Sequence, residues 1–177
     1  MFRKALCSTA IVTILSVSAA FADVTPEEVW ENWQAMSTST GQDMTVGGTA
    51  RNGDTLEVTE IVVTQKDPMG GSASVSFDKL SFKDNGDGTV TVLMPESYPM
   101  SMAFPPEADG NGPGSMKLLV SQPGMTITAS GTSTETNYEF SAPAAAITLQ
   151  VVTDASGTVR KTKAELEMTE ASGYQFV

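Results

Sequence analysis

The 177-residue chain contains no histidine, and its single cysteine, Cys7, lies within the first 22 residues. From Asp23 onward the side chains that do most nucleophilic and general-base work near neutral pH are missing. Ser-His-Asp and Cys-His arrangements are excluded there. A Ser-Lys pair is formally left, but no S-x-x-K stands in a helical context. Zinc loses its usual ligands with the same two absences. Disulfides are excluded too, so a domain made of these residues depends on core packing alone.

Positive charge is also scarce. Ten Lys and Arg face 21 Asp and Glu, for a net charge of −11. Such a chain repels nucleic acid and anionic membrane surfaces. No apolar run reaches the roughly 20 residues that a membrane-spanning helix needs. The one apolar stretch of note, Ala10 to Val17, follows Arg3 and Lys4 and ends on Ala20-Phe21-Ala22. A basic start, a short apolar segment and an A-x-A site together read as a secretory signal peptide cut after Ala22. The pair Arg3-Lys4 is not a twin arginine, so ordinary export is expected. Cys7 precedes the apolar stretch, whereas a lipidated cysteine would follow it. Cleavage removes two cations and no acid, so the expected mature domain, 23–177, carries a net charge of −13. Its 155 residues suit one domain. A bacterial periplasm is the expected location, with no membrane span left after cleavage.

One helix is expected, over 25–39. Thr25 is its N-cap, Pro26 its first residue and Glu28 the partner in a T-x-x-E capping box. Val29, Trp30, Trp33 and Met36 fall on one face, and Gly41 ends the helix. Beyond Gly41 the period changes to two. Strands are expected over 45–51, 56–65, 73–83, 89–94, 98–104, 115–122, 125–131, 136–141, 146–153 and 158–168. Turn residues separate them, with Asn52-Gly53-Asp54 expected as a type I′ hairpin. Residues 105–114, rich in Pro and Gly, are expected as a loop. The predicted fold is mainly β: about ten antiparallel strands in a curved sheet, sandwich or half-barrel, with one N-terminal amphipathic helix. Val75 and Phe77 share a face, as do Val90, Val92 and Met94, and as do Tyr98, Met100, Met102 and Phe104. Opposite faces carry Ser101, Thr126, Thr128 and Ser130, the alternation of a sheet with one wet side. The ending Gly173-Tyr174-Gln175-Phe176-Val177 reads as a final strand, or as a chain cut short of its natural end.

Candidate chemistry is thin. Glu27/Glu28, Glu57/Glu60 and Glu165/Glu167 are the acidic pairs that a carboxylate hydrolase could use. With 21 acids such pairs also arise by chance, and Glu165 and Glu167 alternate with Leu166 and Met168 as a solvated strand face would. Asp84-Asn85-Gly86-Asp87-Gly88 lacks the alternating ligands and distal glutamate of a calcium loop and reads as a turn. Nine methionines follow the signal segment. Met100 and Met102 form an M-x-M pair near Met94, Met116 and Met125. Thioethers can fill a core, line an adaptable apolar groove or bind Cu(I).

Several stretches carry a resemblance: Asp23-Val-Thr-Pro-Glu-Glu-Val-Trp-Glu-Asn-Trp-Gln, Arg51-Asn-Gly-Asp-Thr-Leu, Asn85-Gly-Asp-Gly-Thr-Val-Thr-Val and Tyr98-Pro-Met. Through most of the chain after residue 22 these are similar to the alphaproteobacterial exported family catalogued as domain of unknown function 2125. The resemblance implies a periplasmic β-rich protein with no assigned chemistry. It also implies a match to the N-terminal part of longer members.

The expected function is non-enzymatic: an apolar β surface offered to a lipid or lipid-like partner, with no cofactor and no metal. The expected ligand-binding face comprises Trp30, Trp33, Val92, Met94, Met100, Met102 and Phe104. The alternatives are a structural or assembly module that pairs with an envelope protein through its sheet, and a carboxylate-based hydrolase.

Overall fold

A computed structural model describes residues 23–106, 112–161 and 164–176. The signal peptide expected over 1–22 lies outside them, as do residues 107–111 of the expected loop.

The helix α1 spans Pro26–Ser39. The backbone N–H of Glu28 donates to Thr25 Oγ1, and the Thr25 N–H donates back to Glu28 Oε2, which completes the capping box. Gly41, at φ +73°, turns the chain out of the helix.

Among the described residues eleven antiparallel strands follow in one sheet: β1 (Gln42–Thr45), β2 (Gly48–Asn52), β3 (Thr55–Lys66), β4 (Ser72–Asp84), β5 (Val90–Leu93), β6 (Ser97–Ala103), β7 (Ser115–Ser121), β8 (Thr126–Thr132), β9 (Glu135–Thr153), β10 (Val159–Arg160) and β11 (Ala164–Phe176). Their pairing is simpler than their number. β1 and β2 both pair β3, and β3 pairs β4. β5 and β6 both pair β4, one opposite each half. β7 pairs β6, and β8 pairs β5. β7 and β8 then lie along the two halves of β9, and β10 and β11 lie along its other edge. The sheet is therefore a meander of seven long columns, several of them interrupted at mid-length. Each column follows its neighbour in sequence, so hairpins suffice for every connection.

The interruptions line up. They fall at Val46-Gly47 in the first column, Glu60 and Asp78 in the next two, Met94-Pro95-Glu96, then Gln122 to Met125 and, opposite these, Ala142 to Ala145 of β9, which lack partners on that side while β11 pairs with β9 in a single register. Strand side chains alternate, so an extra residue in one strand turns the rest of it over. Here β3 and β4 turn over together with their register unchanged, whereas the column of β5 and β6 keeps its even-numbered residues inward and its pairing with β4 shifts by one residue. Leu56 and Val58 face inward above this crease, and Ile61 and Val63 face inward below it. Glu60 absorbs the change with φ +54°, the left-handed region that non-glycine residues avoid. Beside it, a Cβ on Gly47 would run into the Glu60 side chain, so only glycine fits there. Gln122, itself buried, closes the crease in its column by donating from Nε2 to Met94 Sδ at 3.7 Å.

Several expected boundaries are corrected. The strand expected over 45–51 is two strands, since Gly47 breaks it. Residues 136–141 and 146–153 belong to one strand, β9. Pro143 sits where β9 has no partner on its β7–β8 side, so its missing N–H costs no ladder bond there. The strand expected over 158–168 is instead β10 and the much longer β11. The turn after Asn52 has Gly53 at φ +62° and no positive φ at Asp54, the type II′ pattern rather than type I′.

Candidate functional site

The crease divides the inner face, toward α1, into two fields. Above it, the helix closes the face. Val24, Val29 and Trp30 pack on Leu56, Val58, Leu80, Phe82, Val90, Val92, Ile127, Ala129 and Tyr138, all buried. Trp30 and Trp33 both lean on the Phe82 ring, at centroid distances of 5.7 and 5.5 Å, and Trp33 also reaches Tyr138 at 6.4 Å. Asn32 donates to Thr136 Oγ1 at 2.9 Å and pins the helix to β9. Arg51 Nη1 holds Glu27 at 2.7 Å on the flank. The helix backbone runs closest to β1, β4 and β3.

Below the crease, the same face continues without that cover. Register places Ile61 and Val63, Phe77 and Val75, Tyr98, Met100 and Met102, Val120, Leu118 and Met116, Ile147 and Leu149, and Met168 and Leu166 side by side across six columns. Among the described side chains no charged residue interrupts them. Of this set only Ile61 is buried; the others are half-buried or, at Ile147, Leu166 and Met168, exposed. The Phe77 and Tyr98 rings meet at a tilt of 57° with centroids 4.6 Å apart, which ties the field to the core beside it. Burial at this contact pushes the Tyr98 hydroxyl pKa up. The outer face of the same columns carries Ser72, Ser74, Ser76, Ser101, Lys117, Thr148, Glu165 and Glu167. The expected contrast between an apolar and a hydroxyl-bearing side is thus present.

Two hollows border the C-terminal half of α1, with Trp33 and Met36 forming a wall of each. One, of about 240 Å³, is lined further by Met125, Ile127, Tyr138, Phe140 and Gln175. The other, of about 230 Å³, runs past Gln42, Met44, Ile61, Val63, Val75 and Phe77, from the covered field into the open one. Neither contains a carboxylate. Gly173 makes room for the first hollow's wall: the Phe140 ring lies against it, where a side chain would collide. The Tyr138 hydroxyl is buried without a hydrogen-bond partner. Burial pushes its pKa up, against a smaller pull downward from the nearby Trp33 and Asn32 side chains.

The residues expected to bind a ligand fall into two groups. Trp30 and Val92 are buried in the core, and Trp30 also lines the hollow that runs on past Val63 and Phe77. Met94 packs on the core at the crease. Trp33 is a half-buried wall of both hollows. Met100 and Met102 lie in the open field, with Met102 opposite Met116. Phe104, 41% exposed, stands at the end of that field beside Gly71 and Pro105. Val75, Phe77, Leu118, Val120, Ile147, Leu149, Leu166 and Met168 join them and were not anticipated as site residues. Their strand periodicity was visible, but cross-strand register was needed to bring them onto one surface. The acidic pairs take structural places. Glu27 bonds Arg51, and Glu57 bonds Lys79 at 2.9 Å, which holds its carboxyl below the usual range.

The fold and this surface define a class: an antiparallel β half-barrel whose inner face is plugged by a helix at one end and bare at the other. Comparison of the chain with protein-family models, with curated proteins and with solved structures finds no match.

Proposed function

We propose that this is an exported, non-enzymatic protein that holds a lipid or lipid-like apolar molecule on the open half of its inner face. The observation that carries the reading is the charge-free apolar field below the crease, which adjoins the closed core yet stays half-exposed. Apolar surface left in water is unfavourable by about 25 cal/mol per Å², and a contiguous field of it commonly marks a binding site. Methionines 100, 102 and 116 give the field soft, adaptable walls that suit a flexible hydrocarbon chain. The hollow beside Val63 and Phe77 offers such a chain a way in under the helix. Export rests on the signal-peptide pattern of residues 1–22. The resemblance to family 2125 belongs to the same proposal and supports a periplasmic setting. The surface roles of Glu27 and Glu57, and the outward placement of Glu165 and Glu167, support a non-enzymatic role.

Native mass spectrometry of protein purified from its own host should show a co-purifying lipid, and the purified protein should take up a fluorescent fatty acid. Met100→Lys or Leu118→Lys should weaken that uptake about tenfold or more, because a charge is buried against hydrocarbon. Thr128→Lys on the outer face should leave it unchanged. A clean apo mass together with no fatty-acid uptake overturns the proposal.

A further inference from the structure

The two margins of the sheet are unlike. The first column is short, broken at Val46-Gly47, and its β1 lies against α1. The last column is β11, a 13-residue strand without proline, paired with β9 on one side and with nothing on the other among the described residues. Long unpaired edges of this kind are usually shortened, bulged or covered, because they template pairing with another chain. At this edge the apolar inner face is unfinished. Leu166 is 63% exposed and Met168 53%, whereas Ile147, one column inward, is 38% exposed. The outer side of the same stretch alternates with them as Glu165 and Glu167, which have no cationic partner among the described ion pairs.

We infer that the free edge of β11 receives an extended segment of a partner protein, which adds a column to the sheet. A segment that fits carries apolar residues on one face, opposite Leu166 and Met168, and Lys or Arg at the alternate positions, opposite Glu165 and Glu167. Its backbone satisfies the free edge, as in other strand-addition complexes. Its apolar side extends the inner field by one column, and its basic side meets the two carboxylates. A second copy of this chain fits poorly. Pairing β11 with itself brings Glu165 and Glu167 against like charges, in a protein with a large net negative charge. The site shares Leu166 and Met168 with the open field, but it rests on the free edge of β11 and does not depend on the lipid-binding reading.

The test uses purified protein and a labelled synthetic peptide of alternating valine and lysine, about nine residues long. Fluorescence anisotropy should show binding, and amide hydrogen exchange should slow within residues 164–176. Glu165→Lys with Glu167→Lys should weaken binding about tenfold, since two attractions become repulsions at exposed positions. A valine–glutamate peptide should then prefer the charge-reversed protein. Both substitutions lie on the outer face, so circular dichroism and fatty-acid uptake should not change. The inference is overturned if the valine–lysine peptide does not bind, if it binds both proteins equally, if exchange slows elsewhere, or if the protein self-associates through this edge.

Discussion

Glu60 shows how one backbone angle can serve a whole face. Its left-handed φ lets β3 turn over between Val58 and Ile61, and its side chain fills the space that a Cβ on Gly47 would need. The two residues are therefore coupled. Gly47→Ala should destabilise the protein by about 1–3 kcal/mol through overpacking. In a Glu60→Gly background most of that cost should vanish. Urea midpoints of the four proteins measure the coupling, and an additive result would show that the collision relaxes elsewhere. Tyr138 bears a different strain, a buried hydroxyl with no partner. Because burial raises its pKa above the usual 10.0, it favours the folded state below pH 10 and withdraws that support as the pH climbs higher. Tyr138→Phe should be at least as stable as the parent at pH 7, since an unsatisfied buried group costs about 1–3 kcal/mol. It should also lose less stability in thermal melts as the pH rises past 10.

At the level of elements, α1 was the most legible part of the sequence. Its cap, its Pro26 and its Val29–Trp30–Trp33 stripe are local signals, and local signals survive without knowledge of the fold. The strand periodicities of Val90, Val92 and Met94, and of Tyr98, Met100 and Met102, were equally plain. What the sequence concealed was non-local. Pro143 reads as a strand boundary unless β7 and β8 are known to leave that position unpaired on their side. Val92 and Met100 read as one continuous apolar face, yet one lies under the helix and the other does not, because coverage is decided by the element packed above. The same split separates the two tryptophans. Trp30→Ala should cost about 3–5 kcal/mol, as a large core truncation does. Trp33→Ala should cost less and join the two hollows across the vacated ring. A higher affinity for a fluorescent fatty acid in Trp33→Ala, with the melting temperature lowered less than in Trp30→Ala, is the expected outcome; equal losses of stability would place both rings in the core.

Over the whole molecule, one sheet does two jobs along the length of its strands. The end near α1 supplies the closed core on which a domain without disulfides depends, and the far end spends its apolar residues on an open field. A sandwich would have closed that field with a second sheet, and a full barrel would have joined the first column to the last. The half-barrel does neither, so binding surface and free edge arise from the same incomplete closure. The shared crease carries a further consequence, for how such a chain can vary. β3 and β4 keep their faces in phase only because both turn over at the same level. Gaining or losing one residue in either alone would put Thr64 where Val63 stands, or Ser76 where Phe77 stands, and leave the other out of step. Changes in length are therefore accommodated in the hairpins and at the Met94–Glu96 break, where the pairing already shifts by one residue, and not inside these two strands.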